Sequence, residues 1–312
     1  MKTVKVLLPD ALGDRIMFRN VQRAALRSGV QFEVYGRKCK EFADVLVSYG
    51  TGLKVQHIKN AENGIIDLFN YSESPIHPVK NSCHLASYQV QLINKMAGTA
   101  IEFSAQDLAP TWECGDLRHL ELRFNQKTIF VFGYATTRNR MLSADFWNKL
   151  TRELSSEHRI FQLITDREEK HSEYCEAIRI GTPRAVPAFI RAVENRGGYV
   201  ITVDSFPLHA AGAVGSERAL LLATSSNPEA VIYPGMKYIA TGCLVGNERF
   251  SCGLHGYGQH VAQIKDSFGL DVQEFKEEKG GCRDDLLAAG QKYACTAAMD
   301  GKIEEIIRIV KQ

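Results

Sequence analysis

The sequence lacks long hydrophobic runs, an excess of charge of either sign, and low-complexity segments. None of its apolar runs approaches the ~20 residues of a membrane-spanning helix, so no membrane span is predicted. The net charge is only +2 over 312 residues, which gives no global argument for binding nucleic acid or a membrane surface. Internal repeats are also missing, apart from two halves of similar organisation.

Secretion and disulfide bonding are disfavoured as well. The apolar run near the N-terminus stops at Pro9-Asp10, which is too early for the hydrophobic part of a signal peptide. A cytoplasmic protein is therefore expected. The eight cysteines are then expected to be thiols or metal ligands rather than disulfides.

What is present is an ordinary globular composition, with 45% hydrophobic and 24% charged residues. Strand-like and helix-like stretches alternate along both halves, as in a parallel, doubly wound α/β sheet, and a helix is predicted over 168–177. The alternation breaks at residues 104–127, where polar and turn-forming residues concentrate. We therefore predict a first lobe over 1–125, a second lobe over 126–298, and a C-terminal helix over 299–312.

Two strand-to-helix junctions carry polar residues. The first is Leu12-Gly13-Asp14, which lies between the apolar run Val4–Leu8 and an amphipathic helix predicted over 15–27. The second runs from Asp204 to His209, between the apolar run Tyr199–Val203 and a stretch of small residues. Open α/β sheets bind ligands at such junctions, where backbone N–H groups and the helix dipole favour an anion.

Two further motifs lie in the second half of the predicted fold. They are Ala135-Thr136-Thr137-Arg138 before Trp147, and Thr224-Ser225-Ser226-Asn227-Pro228 before Tyr233-Pro234-Gly235. Together the four motifs resemble the ADP-heptose:lipopolysaccharide heptosyltransferases, glycosyltransferase family nine. The resemblance implies the GT-B fold, in which two Rossmann-like lobes with parallel sheets face a central cleft. It also implies that the last helix returns to the first lobe.

The resemblance implies an inverting glycosyltransferase that moves heptose from ADP-heptose to an acceptor hydroxyl on a glycan, a lipopolysaccharide core or a protein. Asp14 would be the general base, since inversion without a covalent intermediate needs one base for the acceptor's proton. Asp is also a preferred N-cap that stabilises a helix by ~1 kcal/mol, so a purely structural role for Asp14 is the alternative. No cofactor is required for this chemistry.

The candidates for donor binding share hydroxyl, basic or helix-start character. For the diphosphate they are Gly13, Thr136, Thr137, Arg138, Arg140, Asp204, Ser205, His209, Thr224 and Ser225, and for the nucleoside Glu168. Arg140 stands near a lysine of the family, and Arg can bind a diphosphate bidentately. The alternatives are a solvated turn at 136–140 and an N-cap Asp204 with a half-buried His209. Phe206 departs from the family, which has a glycine there.

The C-terminal cysteines are the second informative feature. Cys252 and His255 form a C-x2-H unit, which Cys282 and Cys295 follow. Autotransporter heptosyltransferases of the same family carry four cysteines in this region and hold iron, so the resemblance implies a structural iron or zinc site. The spacings match no standard zinc finger, and buried thiols with an incidental loop histidine are the alternative.

Arg15, Arg19, Arg23 and Arg27 recur every four residues on the first predicted helix. Such a stripe is typical of a solvated helix face. The alternative is a surface for an anionic acceptor.

Two other functions stay open. The same fold could bind a sugar nucleotide without catalysis, which the presence of Asp14 disfavours. The chain could also be another GT-B enzyme that uses a different nucleotide sugar, modifies DNA or protein, or epimerises a UDP-sugar. The lack of a strongly basic region disfavours a DNA acceptor.

Overall fold

The computed structural model describes residues 1–37, 46–48, 52–58, 63–68, 84–121, 123–125, 127–135, 138–164, 169–179, 181–242, 244–245, 248–249 and 294–312.

The first lobe is built on a parallel four-stranded sheet of order β3-β2-β1-β4. Its strands are β1 (Lys2–Leu8), β2 (Val30–Gly36), β3 (Val55–His57) and β4 (Ile66–Asp67). Helices α1 (Leu12–Arg27) and α2 (Leu85–Ala97) pack on it and share its hydrophobic core. The strand order reverses direction at β1, which makes the carboxyl edge beside β1 and β4 the place where such a sheet binds ligands.

The second lobe is built on a parallel six-stranded sheet of order β10-β9-β8-β5-β6-β7. Its strands are β5 (Thr128–Phe132), β6 (Arg159–Ile164), β7 (Glu176–Arg179), β8 (Tyr199–Val203), β9 (Ala219–Ala223) and β10 (Lys237–Ala240). Counted within the lobe this is the 3-2-1-4-5-6 order of a Rossmann sheet, with its switch point between β5 and β8. The two sheets confirm the predicted α/β fold of two Rossmann-like lobes.

Burial on both faces explains why the central strands read as continuous apolar runs. Every residue of β5, β8 and β9 is buried, as expected for parallel strands covered by helices on each side. The helices of this lobe are α3 (Arg118–Glu121), α4 (Ala144–Ser155), α5 (Val186–Asn195), α6 (Phe206–Ala213) and α7 (Pro228–Val231). Each helix in the described ranges falls short of the length and hydropathy needed to cross a bilayer.

The remaining elements are short. An antiparallel pair joins β11 (Leu244–Val245) to β12 (Glu248–Arg249), α8 (Ala294–Ala298) and α9 (Ile303–Val310) follow, and single 3₁₀ turns lie at Ala105–Leu108, Arg138–Arg140, Pro183–Ala185 and Met299–Lys302. The resemblance predicted that the last helix returns to the first lobe, whereas α9 packs on α4 of the second lobe. Its apolar face, with Ile306 and Val310, completes the core around Trp147.

The helix predicted over 168–177 is wrong. Residues 169–175 form turns and irregular structure, and β7 begins at Glu176. Pairing with the open edge of β6 replaces the local helical preference there, because each residue of β7 gains a partner in the sheet. The ion pair between Arg159 and Glu176, with N and O atoms 2.7 Å apart, adds to that pairing.

Candidate active site between the lobes

The candidate site lies where the carboxyl ends of the two sheets meet. Helix α1 begins after β1 of the first lobe, α6 begins after β8 of the second lobe, and the two helices pack against each other. The sequence places these junctions about 190 residues apart, and the fold brings them into contact. The site therefore uses the switch point of each sheet.

In the first lobe, helix α1 begins earlier than the sequence predicted. Residue Ala11 is the N-cap of α1, and no side chain caps the helix. Asp14 therefore lies in the first turn of α1, and the interpretation of Asp14 as an N-cap is wrong. Gly13 is buried against His209 of the second lobe, since a methyl group at Gly13 would lie 2.5 Å from Cδ2 of that ring. Because Gly13 has no side chain, the two strand-to-helix junctions can approach each other closely.

The electrostatic environment of Asp14 favours a base. Burial raises the pKa of Asp14 to about 6, the nearby carboxylate of Asp204 adds to the rise, and the Arg140 guanidinium opposes it. The side chain is half-buried, so part of it still faces the cleft. A carboxylate with such a pKa is ionised at neutral pH and yet a stronger base than an ordinary one.

At the strand-to-helix junction of the second lobe, Asp204 lies in a polar cluster. Its side chain is 6% exposed, lies 3.3 Å from Nη1 of Arg140, and accepts a hydrogen bond from the Ser226 hydroxyl. Ser205 is the N-cap of α6, but its hydroxyl donates to the Val203 carbonyl, 3.4 Å away, and accepts no hydrogen bond from the helix N–H groups. At the start of α6, the Phe206 N–H has no side-chain cap, Pro207 carries no N–H, and the Leu208 N–H donates to the Ser205 carbonyl over 3.0 Å.

The loop after β9 contacts the turn that contains Arg140. The Thr224 hydroxyl donates to the backbone carbonyl of Asn139 over 2.7 Å, which fixes the turn that carries Arg140. Ser225 is buried beside it. Thr224 thus contributes by holding the guanidinium in place, a role that the sequence did not suggest.

His209 lies one turn inside α6 and is buried. Its Nδ1 atom is 2.9 Å from the hydroxyl oxygen of Tyr233. Burial lowers the pKa of His209 to about 4; the Asp204 carboxylate opposes this effect and Arg140 adds to it. The imidazole is therefore neutral at physiological pH.

Two residues of the site escaped the sequence analysis. Tyr233 was named only as part of a motif, and His84, the N-cap of α2, was given no part in the site. The His84 ring contacts the Tyr233 ring edge-on at 4.9 Å, which links the first lobe to the second. Burial lowers the pKa of His84 to about 3, and the Val231 backbone opposes the shift.

Several predicted residues lie outside the described ranges, namely Thr136, Thr137, Glu168, Cys252, His255 and Cys282. Arg138 belongs to the turn that carries Arg140. Cys295 is buried in α8, and its backbone carbonyl accepts a hydrogen bond from Thr241. Among the residues that are described, no group of three His, Cys, Asp or Glu side chains could hold a metal ion.

The arginine stripe of α1 is not a solvated face where it approaches the site. Arg15 is fully buried and donates to the Pro9 carbonyl over 2.7 Å. Arg19 is 5% exposed, donates to the Leu46 carbonyl over 3.2 Å, and lies over the Trp112 ring at 4.8 Å. Buried guanidinium groups that bind carbonyls serve the packing of the helix.

The outer half of the stripe binds the segment that joins the lobes. Arg23 donates to the Ala109 carbonyl over 2.7 Å, and Arg27 binds the Glu102 carbonyl and the Asp107 carboxylate at 2.8 and 2.9 Å. Both interpretations drawn from the sequence, a solvated face and an anion-binding surface, miss this role. Sequence periodicity shows that four residues share a face but not what covers it.

No protein-family model and no curated protein sequence matches the chain. Solved structures do match. The glycosyl transferase family 9 protein from Veillonella parvula DSM 2008 is 11% identical with a TM-score of 0.53, covering 78% of this chain and 88% of that chain. The E. coli heptosyltransferase WaaC with ADP-2-deoxy-2-fluoro heptose is 14% identical with a TM-score of 0.51, covering 89% and 100%.

A third match is the dodecameric iron-containing heptosyltransferase TibC in complex with ADP-D-beta-D-heptose, which is 10% identical with a TM-score of 0.52 and covers 78% of this chain and 63% of that chain. At these identities the similarity concerns the fold. The chain therefore has the two-lobed GT-B fold of the family-nine heptosyltransferases.

Proposed function

We propose that the protein is an inverting glycosyltransferase that transfers a sugar, heptose from ADP-heptose, to an acceptor hydroxyl. The observation that carries the proposal is the pairing of Asp14, whose pKa is raised to about 6, with Arg140 and the N-terminus of α6 across one cleft. This reaction needs a base on one side of the cleft and an anion site on the other. The fold matches proteins solved with ADP-heptose or its analogue.

In the proposed reaction, Asp14 takes the proton of the acceptor hydroxyl as its oxygen forms a bond to the anomeric carbon. The bond from that carbon to the donor phosphate breaks, and the nucleoside diphosphate leaves with the electron pair. Arg140, the Phe206 N–H and the dipole of α6 stabilise the negative charge that develops on the diphosphate. The donor site takes in Gly13, Ser205, His209, Thr224 and Ser225, and, outside the described ranges, Thr136, Thr137 and Glu168.

A nucleotide panel tests the donor. Selective binding of ADP or ADP-heptose should raise the melting temperature, since a ligand at 100 times its Kd adds ~2.7 kcal/mol to the free energy of unfolding. UDP and GDP are the matched controls. ADP release from ADP-heptose in the presence of lipopolysaccharide-core oligosaccharide or acceptor protein then measures turnover.

Each result decides between the alternatives. Selective ADP binding without turnover on any acceptor would favour a non-catalytic binding module. Preference for another nucleotide would favour a different GT-B enzyme. If no nucleotide shifts the melting temperature, the cleft does not bind a nucleotide sugar and the proposal fails.

We also propose that Cys252, His255, Cys282 and Cys295 hold a structural iron or zinc ion. Three thiolates and an imidazole are a donor set that suits either metal in tetrahedral coordination, and none of these residues has a part in the transfer step. Elemental analysis of protein purified without chelator should find one ion per chain. Cys252→Ser should lower stability before it lowers the rate per folded molecule, and a metal-free wild-type protein would contradict the proposal. A cytoplasmic location, testable by cell fractionation, belongs to the same hypothesis.

A further inference from the structure

His209 and Tyr233 form a buried pair behind the candidate site. The two residues are 5% and 3% exposed, and the Nδ1 atom of His209 lies 2.9 Å from the Tyr233 hydroxyl oxygen. The rings meet edge-on, at 84°. A buried donor without an acceptor costs ~1–3 kcal/mol. The surroundings that the fold provides therefore decide which of the two atoms donates in this hydrogen bond.

The direction follows from the phenol. The Tyr233 hydroxyl carries one proton, and burial together with the carboxylates of Asp14 and Asp204 raises its pKa, so the proton stays on. Within the described part of the chain, Nδ1 of His209 is the acceptor that this proton reaches. If Nδ1–H donated instead, the phenol proton would be buried with no acceptor. The O–H group therefore donates to Nδ1.

Two glycines allow helices α6 and α1 to pack closely against the pair. A methyl group at Gly212 of α6 would lie 2.3 Å from the Tyr233 ring, and one at Gly13 of α1 would lie 2.5 Å from Cδ2 and 3.1 Å from Nε2 of His209. The His84 ring closes the Tyr233 side at 4.9 Å. Both rings are closely packed on these sides, and the Nε2 edge of the imidazole faces the first turn of α1, where Asp14 lies.

We propose that Tyr233 is a positioning residue that fixes His209 as the Nε2–H tautomer. The site then presents a neutral N–H donor beside Asp14 instead of a second base. The catalytic use of that donor rests on the proposed function: Nε2–H would donate to an anionic oxygen of the leaving diphosphate while Asp14 alone takes the acceptor's proton. The tautomer itself does not depend on the reaction.

The test is a ¹⁵N NMR spectrum of histidine-labelled wild-type protein at neutral pH. The chain has nine histidines, and the His209 signals are assigned through their contacts to the Tyr233 ring and their loss in His209→Gln. A protonated-type Nε2 shift with an unprotonated-type Nδ1 shift is expected. A protonated Nδ1 with a bare Nε2, or an imidazolium, would overturn the proposal.

Tyr233→Phe adds a second readout. Without the phenol, His209 should become a mixture of tautomers, and its pKa should rise because a donor to the neutral form is lost. Turnover should fall roughly 10- to 100-fold, less than the ~10²–10³-fold typical of deleting a donor to a developing anion. Tyr238→Phe, at an exposed tyrosine on β10, is the matched control and should change neither spectrum nor rate.

The outcomes separate the two proposals. The Nε2–H tautomer without any transferase activity would support the inference and contradict the function. Transferase activity with the Nδ1–H tautomer would do the reverse. A Tyr233→Phe protein whose His209 keeps one sharp Nε2–H tautomer would show that another group fixes the ring, and would overturn the role of Tyr233. If that variant does not fold, the wild-type spectrum still decides the tautomer.

Discussion

Asp14 and Asp204 both follow a parallel strand and both lie at the start of a helix, but their surroundings differ. Asp204 accepts a hydrogen bond from Ser226 and lies 3.3 Å from the Arg140 guanidinium. Asp14 makes no hydrogen bond or close ion pair with the residues that the structure describes, and burial raises its pKa to about 6. One carboxylate is neutralised by its neighbours, and the other is kept partly buried without such partners.

Under the proposed function, Asp204 is the structural carboxylate and Asp14 is the reactive one. A buried carboxylate that receives hydrogen bonds and a cation stabilises the fold as an anion. Burial without these partners makes the anion costly, and the cost is recovered when the group accepts a proton. The comparison therefore predicts opposite effects on stability when each carboxylate is replaced by an amide.

Asp14→Asn should have the largest effect on activity. Turnover should fall by ~100- to 10,000-fold, because the amide cannot accept the acceptor's proton, while donor binding remains. The melting temperature should rise, since the amide removes a charge that burial disfavours. We expect about 1–2 kcal/mol near neutral pH, which is discounted from ~1.4 kcal/mol per pKa unit because the side chain is half-buried.

Asp145→Asn is the matched control for Asp14→Asn, because Asp145 also lies in the first turn of a helix, α4, but is exposed. It should leave rate and stability nearly unchanged. An Asp14→Asn enzyme with a near-normal rate, or one with a lower melting temperature, would return Asp14 to a structural role.

Asp204→Asn should act in the opposite direction on stability. Loss of the charge weakens the contacts of this carboxylate with Arg140 and Ser226, so the free energy of unfolding should fall by ~1–3 kcal/mol. Affinity for ADP should weaken about tenfold as Arg140 loses its anchor, which corresponds to ~1.4 kcal/mol. Asp116→Asn breaks an exposed ion pair with Arg118 and serves as the control in the same melting and titration experiments. Equal effects of both variants would show that burial of Asp204 is unimportant.

The pH dependence sharpens the comparison further. Since Asp14 has a pKa of about 6, kcat/KM should rise as pH increases through 6 and level off above it, with a tenfold loss per pH unit below. The folded pKa is higher than the unfolded value near 4, so the Asp14 contribution to stability is full below pH 4 and is lost as pH rises through 6. The stability advantage of Asp14→Asn should therefore vanish in acid. A flat rate profile between pH 5 and 8 would exclude Asp14 as the base.

The smallest effect is expected from Arg23→Ala, on the same helix as Asp14. Because the guanidinium binds the Ala109 carbonyl in the segment between the lobes, stability should fall by ~1 kcal/mol with the rate per folded molecule unchanged. Lys149→Ala, on α4 of the second lobe, is the control. An increase in the KM for acceptor would instead revive the anion-binding interpretation of the arginine stripe.

Local pattern was enough to predict the architecture. Parallel strands that are buried on both faces read as apolar runs, so the run Tyr199–Val203 is β8 and the run Val4–Leu8 lies within β1. Gly98 ends α2 in the left-handed conformation, with φ of 57°, because only a residue without Cβ adopts it readily. The error at 168–177 arose where an open sheet edge competed with helical periodicity.

The sequence by itself determined which residue types stand at the ends of the strands, including Asp14, Arg140, Asp204 and His209, because these positions follow from local periodicity. Only the tertiary structure decided what each of them does. Hydrogen-bond partners such as Tyr233 for His209, 24 residues away in the chain, and burial by the opposite lobe are set by contacts between distant segments. Since pKa and tautomer depend on those contacts, the chemistry of the site became visible only when the two lobes were brought together.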